Sequence, residues 1–297
     1  SIINPNRYDD NSNFNQMAAV GVTFLFLMAL RKELRLNNFF KKSKSEPNLL
    51  QFLDLVALGT VCDVVNLITY NRIFVKMGLE LITKRNNIGV SKIIDNSNLK
   101  SVPNSRDLGF IIGPQLNAAS RIDDSSLPTK LLIDNDVEKI ESISKKLMLL
   151  NEKRKLIEKQ IFEEAIIQAE KQKNDNFILV NGQDWHQGVL GIIASKLTDR
   201  YNKPSIVISF VNSYGVGSAR SINLIDIGNI ILNAKNHNIL TSGGGHKMAA
   251  GLKLNHDMLK KFNLFLNQNL ANLPTNYFKK LKKFDSIISI NEINDNL

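Results

Sequence analysis

The feature of the sequence that most constrains the fold is one long run of helical character, from Val137 to about Lys171. Apolar side chains recur there three, four or seven residues apart, with Lys and Glu between them, which is the spacing of an amphipathic helix. A helix over this run is longer than those of ordinary globular domains. Its apolar positions do not form a strict heptad, so a helix that joins two domains fits better than a coiled coil. We therefore expect two folded parts, one on each side of this helix.

The pattern of residues before the long helix differs from the pattern after it. The earlier part predicts the end of a strand at Ile2–Pro5 and then helices joined by short polar loops, at about Phe14–Leu36, Leu49–Leu58 and Asn71–Lys84. The later part alternates short strands with helices, which predicts a small α/β domain with a sheet. Its elements are strands at Phe177–Val180 and Pro204–Phe210, a glycine-rich strand or turn at Gly215–Ser221, and helices at Val189–Tyr201, Ile225–Ala234 and His256–Leu273. The predicted fold class is α/β.

Composition narrows the class of protein only a little. The net charge of +10 and the pI near 9.5 favour a polyanionic partner, but biased codon usage produces the same excess of Lys and Asn, so both explanations stay open. Cys62 is the only cysteine, which excludes an internal disulfide and favours a cytoplasmic protein. The most apolar stretch, Met17–Leu30, is shorter than the roughly 18–20 residues of a membrane span, so a buried helix is expected and no membrane partner.

The first chemical motif is the string LVALGTVCDVV, in which Asp63 is the acid that follows Gly59 and Thr60. A carboxylate at the end of an apolar run must be exposed, paired or bound to a metal, because burying a bare charge is costly. A helix cap or a turn explains such a residue as well as a metal ligand does. The string resembles the GT-x-x-DVV motif of DHH phosphoesterases. In that family the aspartate is a ligand of catalytic Mn²⁺ or Mg²⁺, and hard oxygen ligands suit both cations.

Further strings extend the resemblance to the RecJ type of this family. Asn4-Pro5 and a helix containing AVGV resemble the RecJ segment that follows the DHH triplet, and Gly113–Asp124 resembles the LNAA and R-hydrophobic-DD signature. The resemblance places Asn117 and Arg121 near the catalytic cleft as catalytic residues. From the residues alone, Arg121 is as well explained by a surface ion pair with the acids that follow it. Gln115 stands where the family usually has an arginine, which removes one expected phosphate contact.

The second part of the chain contains three motifs. Trp185 and His186 stand at a predicted helix start, where free backbone N–H groups attract phosphate, although an isolated pair of this kind is usually a core residue and a cap. Ser218, Arg220 and Ser221 end a predicted strand with two hydroxyls and a cation.

The third motif is a run of three glycines, Gly243, Gly244 and Gly245, followed by His246 and then by MAAG after one lysine. Consecutive glycines let a backbone approach a ligand closely and adopt positive φ, and the histidine can donate to a phosphate or stack on a base. A glycine run alone usually indicates a flexible loop. Together the three motifs resemble the DHH-associated nucleic-acid-binding domain, in which these residues hold nucleic acid.

The resemblance covers the chain from Asn4 to about Leu254 and implies a function. It implies a 5′-to-3′ single-stranded-DNA exonuclease of recombination and repair, dependent on Mn²⁺ or Mg²⁺ and monomeric, with a single-strand-binding protein or a helicase as further partners. It divides the chain into four segments: residues 1–135, the later part of a DHH catalytic domain; 136–172, the connecting helix; 173–256, the DHH-associated domain; and 257–297, a helix and the first strand of an OB-fold at 285–290.

The family's other metal ligands do not occur in this sequence. It contains no D-x-D before Asp63 and no Asp-His-His, and one carboxylate cannot hold the two cations of such a site. We therefore expect this chain not to hydrolyse DNA unaided. Two alternatives stay open: a non-catalytic single-strand-binding protein, and an oligonucleotide or cyclic-dinucleotide phosphodiesterase of the same superfamily.

Overall fold

The structure, a computed structural model, describes residues 2–40, 45–97, 99, 101–280, 284 and 286–293. The chain forms two compact units, residues 1–155 and 156–297, and the boundary lies within the long helix. The mixed helical and α/β architecture confirms the predicted fold class. Across the described ranges, no helix combines the length and the apolar character that a membrane span requires.

The first unit is built from helices around one apolar core. The pair α2 and α3 packs so closely that a side chain at Gly78 would overlap backbone and side-chain atoms of α2. The core combines apolar side chains from α2, α3, α4, α6 and α7 with those on the first half of the long helix. The helices are α1 (Ala19–Leu36), α2 (Leu53–Cys62), α3 (Thr69–Thr83), α4 (Ile88–Asn96), α5 (Ser105–Asp107), α6 (Gly113–Ile122), α7 (Leu127–Ile133) and α8 (Val137–Glu170).

Two expectations for the chain ends are corrected. Residues 2–5, expected to end a strand, form coil and the start of a turn. The strand expected at 285–290 is not formed in its described part, because residues 286–289 have no regular structure and Ile290 begins a 3-10 turn. Asp285 lies outside the described residues.

The second unit is a five-stranded sheet in the order β1-β2-β3-β5-β4. β1 and β2 are parallel, and α9 provides the crossover connection that parallel strands require. The other neighbouring strands are antiparallel. Apolar side chains of α10 and α11 form the main core on one face of the sheet, and α9 and the second half of α8 pack on the other face. The elements are β1 (Ile178–Gln183), α9 (Gln187–Tyr201), β2 (Ser205–Val211), β3 (Tyr214–Arg220), α10 (Ile227–Asn236), β4 (Ser242–His246), β5 (Ala249–Asn255) and α11 (Leu259–Leu270).

The two edges of the sheet are treated differently. Two glutamine side chains form hydrogen bonds with the outer edge of β1. Gln168, in α8, bonds both the N–H and the carbonyl of Asn181. Gln172, just after α8, bonds the same two groups of Leu179. These amide side chains replace a neighbouring strand and protect the edge. The opposite edge strand, β4, is almost fully exposed. The open side of the sheet therefore lies at β4.

Candidate nucleic-acid interface

The exposed face of β3, β5 and β4 brings the predicted polar residues together. Side chains alternate between the two faces of a strand, so every second residue shares one face. Strand register aligns Arg220, Ala249 and His246 in one row across the sheet. The next row on the same face consists of Ser218, Gly251 and Gly244. We call this surface, defined by these two rows, the open face.

The floor of the open face carries no side chains at its two glycines. A Cβ added to Gly244 or to Gly251 would meet no heavy atom within 4 Å. On the opposite face of β5, Ala250 and Leu252 are buried in the core. The glycines therefore expose backbone at this point, which lets a ligand lie directly against the sheet.

Arg220 forms one wall of the open face. Its Nη1 donates to the carbonyl of Ala219 at 3.0 Å and reaches the Ser218 hydroxyl at 3.5 Å. The guanidinium is half-buried, and burial lowers its pKa. Among the described residues no carboxylate forms an ion pair with it. A half-buried cation without a counter-ion attracts an anionic ligand.

The geometry at Gly191 brings α9 close to this wall. A Cβ at Gly191 would lie 3.2 Å from both Arg220 Nη2 and Ser218 Oγ. A larger residue there would therefore press on the arginine. The absence of a side chain at Gly191 thus leaves room for Arg220.

His246 ends the same row at the outer edge. Its Nδ1 accepts a hydrogen bond from the backbone N–H of Met248 at 3.3 Å, within the turn that joins β4 to β5. In the neutral ring the proton then resides on Nε2, which can donate to an acceptor on the open face. Arg220, Ser218 and His246 together supply donors of the kind that bind phosphate oxygens.

The glycine run forms a strand. Gly243, Gly244 and Gly245 lie in β4, and none of them uses the positive φ that glycine permits. Instead, a Cβ at Gly245 would overlap the carbonyl of Ala249 and the backbone of Ala250. The run is explained by close strand packing and by the bare floor.

Two predicted binding residues are buried in this fold. Trp185 is 5% exposed and packs in the core beneath α9, and its Nε1 donates to Glu164 Oε2 at 2.8 Å. Ser221 is also 5% exposed, and its hydroxyl donates to the carbonyl of Ile225. Both side chains are therefore buried with their polar groups bonded within the protein, which favours a structural role for each. His186 is exposed and caps α9, with its Nδ1 accepting from the N–H of Gly188.

The first unit places Asp63 at the C-terminal end of α2. Its side chain is exposed and lines an open pocket with Asn4, Pro5 and the first turns of α1, so the structure brings two of the predicted strings together. The next residue, Val64, has φ 58°, which is strained for a β-branched residue. Such strain is concentrated at functional sites.

The other residues predicted for catalysis do not line that pocket. Asn117 is exposed and Arg121 is half-buried, one turn apart on the same side of α6. Gln115 is buried, and its Nε2 donates to Ser97 Oγ at 2.6 Å, so at this position the chain has a structural amide. Among the described residues no three His, Cys, Asp or Glu side chains are grouped to hold a metal.

One residue beside the open face was missed by the sequence analysis. Lys253 follows Gly251 by two residues, so it projects from the same face of β5, and it is exposed. The alternation of Gly251, Leu252, Lys253 and Leu254 carried this signal, because buried and exposed residues alternate along a half-buried strand.

Comparison with known proteins agrees with the sequence motifs. Residues 174–272 match the family described as the DHHA1 domain, a span that includes α11. The chain is 36% identical over 308 aligned residues to the "single-stranded-DNA-specific exonuclease RecJ" of Haemophilus influenzae, covering 99% of this chain and 53% of that protein. It is 37% identical to the protein of the same name from Escherichia coli, covering 88% and 47%. The chain thus spans about half the length of these relatives.

The fold is also similar to solved structures. RecJ from Thermus thermophilus in complex with Mg²⁺ gives a TM-score of 0.74 at 27% identity, covering 86% of this chain and 38% of that one. The complex of the same protein with Mn²⁺ also gives a TM-score of 0.74 and 27% identity, with 36% of that chain covered. Both fold and sequence therefore indicate the same family.

Proposed function

The chain is a RecJ-type sequence of the DHH phosphoesterase family with a DHHA1 domain, and from this premise we propose that its open face binds the phosphates of single-stranded DNA. We propose further that this binding serves a 5′-to-3′ single-stranded-DNA exonuclease. The names of the relatives support the substrate and the reaction class.

The single observation that carries the proposal is the state of Arg220. Partial burial of a guanidinium costs free energy, and no carboxylate among the described residues offsets that cost. A phosphate group that accepts two parallel hydrogen bonds from the guanidinium would offset it. His246 lies in the same row as Arg220, and Ser218 lies in the next row. The ligand would therefore meet donors on both sides of the glycine floor.

The bare floor favours a single strand. Gly244 and Gly251 leave backbone exposed over the width of two strands, which admits an extended chain lying flat against the sheet. The two rows of the open face contain no Phe, Tyr or Trp, so base stacking there is limited to the His246 ring. Binding dominated by phosphate contacts depends on salt and tolerates any base sequence.

The residues present do not fit a complete two-metal site. Asp63 offers the oxygen ligand that Mn²⁺ or Mg²⁺ prefers, and the structures of the Thermus relative contain these ions. One carboxylate does not fix two cations, and the described residues add no cluster of ligands beside it. We propose that Asp63 is one metal ligand of the exonuclease and that this chain does not hydrolyse DNA unaided.

A non-catalytic binding protein is the second candidate, and the same asymmetry favours it. The open face collects several donors, whereas the described residues that line the pocket at Asp63 include a single acid. Release of nucleotides from single-stranded DNA by the chain in Mn²⁺ would exclude this candidate. It would also contradict the proposal that this chain does not hydrolyse DNA unaided.

Substitution of Arg220 tests the proposal. We expect Arg220→Ala to weaken binding of a fluorescent oligo-dT in EDTA at least about tenfold, because a charge-assisted contact to phosphate is lost. Arg200→Ala is the matched control, since Arg200 lies in the same unit and pairs with Glu170 at the surface. Its affinity should change less than about twofold. Equal affinities for Arg220→Ala and the parent protein would refute the proposal.

A further inference from the structure

We infer that the open face continues into a second phosphate subsite at Lys253, so that it holds a stretch of single strand and not one phosphate alone. This inference rests on the proposed function, and it adds the length and the course of the bound strand.

Register places Lys253 in the third row of the same face. Lys253 is aligned with Val216 on β3 and with Ser242 on β4. This row follows the row of Ser218 and the two floor glycines, which itself follows the row of Arg220. The three rows therefore form a continuous track along β5, with a cation at each end and bare backbone between them.

The spacing of the two cations suits more than one phosphate. Lys253 lies four residues beyond Ala249, the partner of Arg220, which is roughly 13 Å along the strand at about 3.3 Å per residue. That distance is too long for one phosphate group to bridge. About two nucleotide steps of an extended single strand cover it.

Lys253 is also available to an anion. It is exposed, and among the described residues no carboxylate lies within ion-pair distance of it. The neighbouring Ser242 is exposed as well and supplies a hydroxyl in the same row. An ammonium and a hydroxyl side by side contact phosphate as a point charge and a donor.

The opposite direction, beyond Arg220, is less suited to continue the track. A concave pocket there is lined by Ser221, Asp199, Lys279 and Lys280. The hydroxyl of Ser221 is already donated to Ile225, and the exposed Asp199 repels phosphate. The two lysines follow α11 and belong to no row of the sheet, so they do not extend the open face. The rows therefore favour the direction toward Lys253.

Oligonucleotides of different length test the inference. The probes are 5′-phosphorylated dT of one, three and six nucleotides, measured in EDTA against the parent chain, Lys253→Ala and Arg220→Ala. Lys235→Ala is the matched control, because Lys235 is an exposed lysine at the end of α10 on the other side of the sheet.

We expect Lys253→Ala to leave the affinity for the mononucleotide unchanged and to weaken the trimer and hexamer about three- to tenfold. The slope of log K against log salt should become shallower by about 0.7 for the hexamer, the value for one phosphate contact on a single strand. Lys235→Ala should change neither quantity.

The outcomes separate this inference from the proposed function. If Arg220→Ala weakens all three probes while Lys253→Ala behaves like Lys235→Ala, the second subsite is refuted and the proposed function stands. If Lys253→Ala weakens the mononucleotide as much as the hexamer, the two cations serve one phosphate and the inference is also refuted. If no probe is affected by Arg220→Ala, the proposed function itself fails.

Discussion

Asp63 and Arg220 each stand at the end of a regular element, but their surroundings differ. Asp63 ends α2 with an exposed carboxylate, and among the described residues no cluster of metal-binding side chains forms around it. Arg220 ends β3 half-buried, with a hydroxyl and a histidine on the same face of the sheet. A sheet collects residues from three strands in one row, whereas the end of one helix offers a single side chain. The proposed binding region therefore has several donors side by side, whereas the described residues add no further metal ligands to Asp63.

The largest expected effect concerns the sheet beneath the proposed binding region. Gly245→Ala should lower the free energy of unfolding by about 2 kcal/mol or more, because its Cβ would overlap the backbone of β5. Urea denaturation measures the change. A variant as stable as the parent would show that β4 does not pack against β5 as described.

Trp185→Phe separates a core role from a binding role. The ring would stay buried but lose its hydrogen bond to Glu164, so the free energy of unfolding should fall by about 1 kcal/mol. Affinity for oligo-dT should stay within about twofold of the parent. A large loss of affinity at unchanged stability would show that Trp185 acts in binding and not only in the core.

Asp54 is a buried acid in the same helix whose C-terminal end carries the exposed Asp63, so it shows what burial does to a carboxylate there. Asp54 is 3% exposed, accepts a hydrogen bond from the N–H of Leu55, and has a pKa raised by burial. Between its unfolded and folded pKa values the folded state binds more protons, so stability falls as pH rises through that window. Asp54→Asn should therefore raise the free energy of unfolding at pH 8 by about 1 kcal/mol, and by less at pH 4.

The exposed Asp257→Asn serves as the control for Asp54. We expect no comparable gain at pH 8, because an exposed carboxylate stays hydrated in the folded state. A gain of the same size in both variants would indicate a general effect of net charge. Burial of Asp54 would then not be the cause.

The smallest effect is expected at Asp63 itself. Asp63→Asn should leave binding of oligo-dT in EDTA within about twofold of the parent, because without a metal a carboxylate offers phosphate no donor and salt screens its exposed charge. A strong change in metal-free affinity would show that the two regions do not act separately.

The sequence predicted the long helix, the first three helices and the elements from β1 to α10, because their apolar spacing is clear. It did not predict β4 and β5, whose glycines and alanines carry little apolar pattern. It also predicted that Arg220 and His246 matter from their family motif, and the register of the sheet places them in one row. Burial is what a motif does not reveal: the polar groups of Trp185 and Ser221 are hydrogen-bonded by neighbours within the fold. Lys253 was missed because its position beside the open face depends on strand register, which a motif search does not include.

The most direct test of the account adds a methyl group to the floor of the open face. Gly244→Ala meets no atom of the protein within 4 Å, and alanine in a strand is at least as stable as glycine. We predict an unchanged or slightly higher melting temperature together with affinity for oligo-dT lowered at least about fivefold, because the methyl group occupies the ligand's space. Gly109→Ala, which makes an ordinary contact of 3.4 Å with Val61, should bind like the parent. A stable Gly244→Ala protein that binds single-stranded DNA as tightly as the parent would contradict the account.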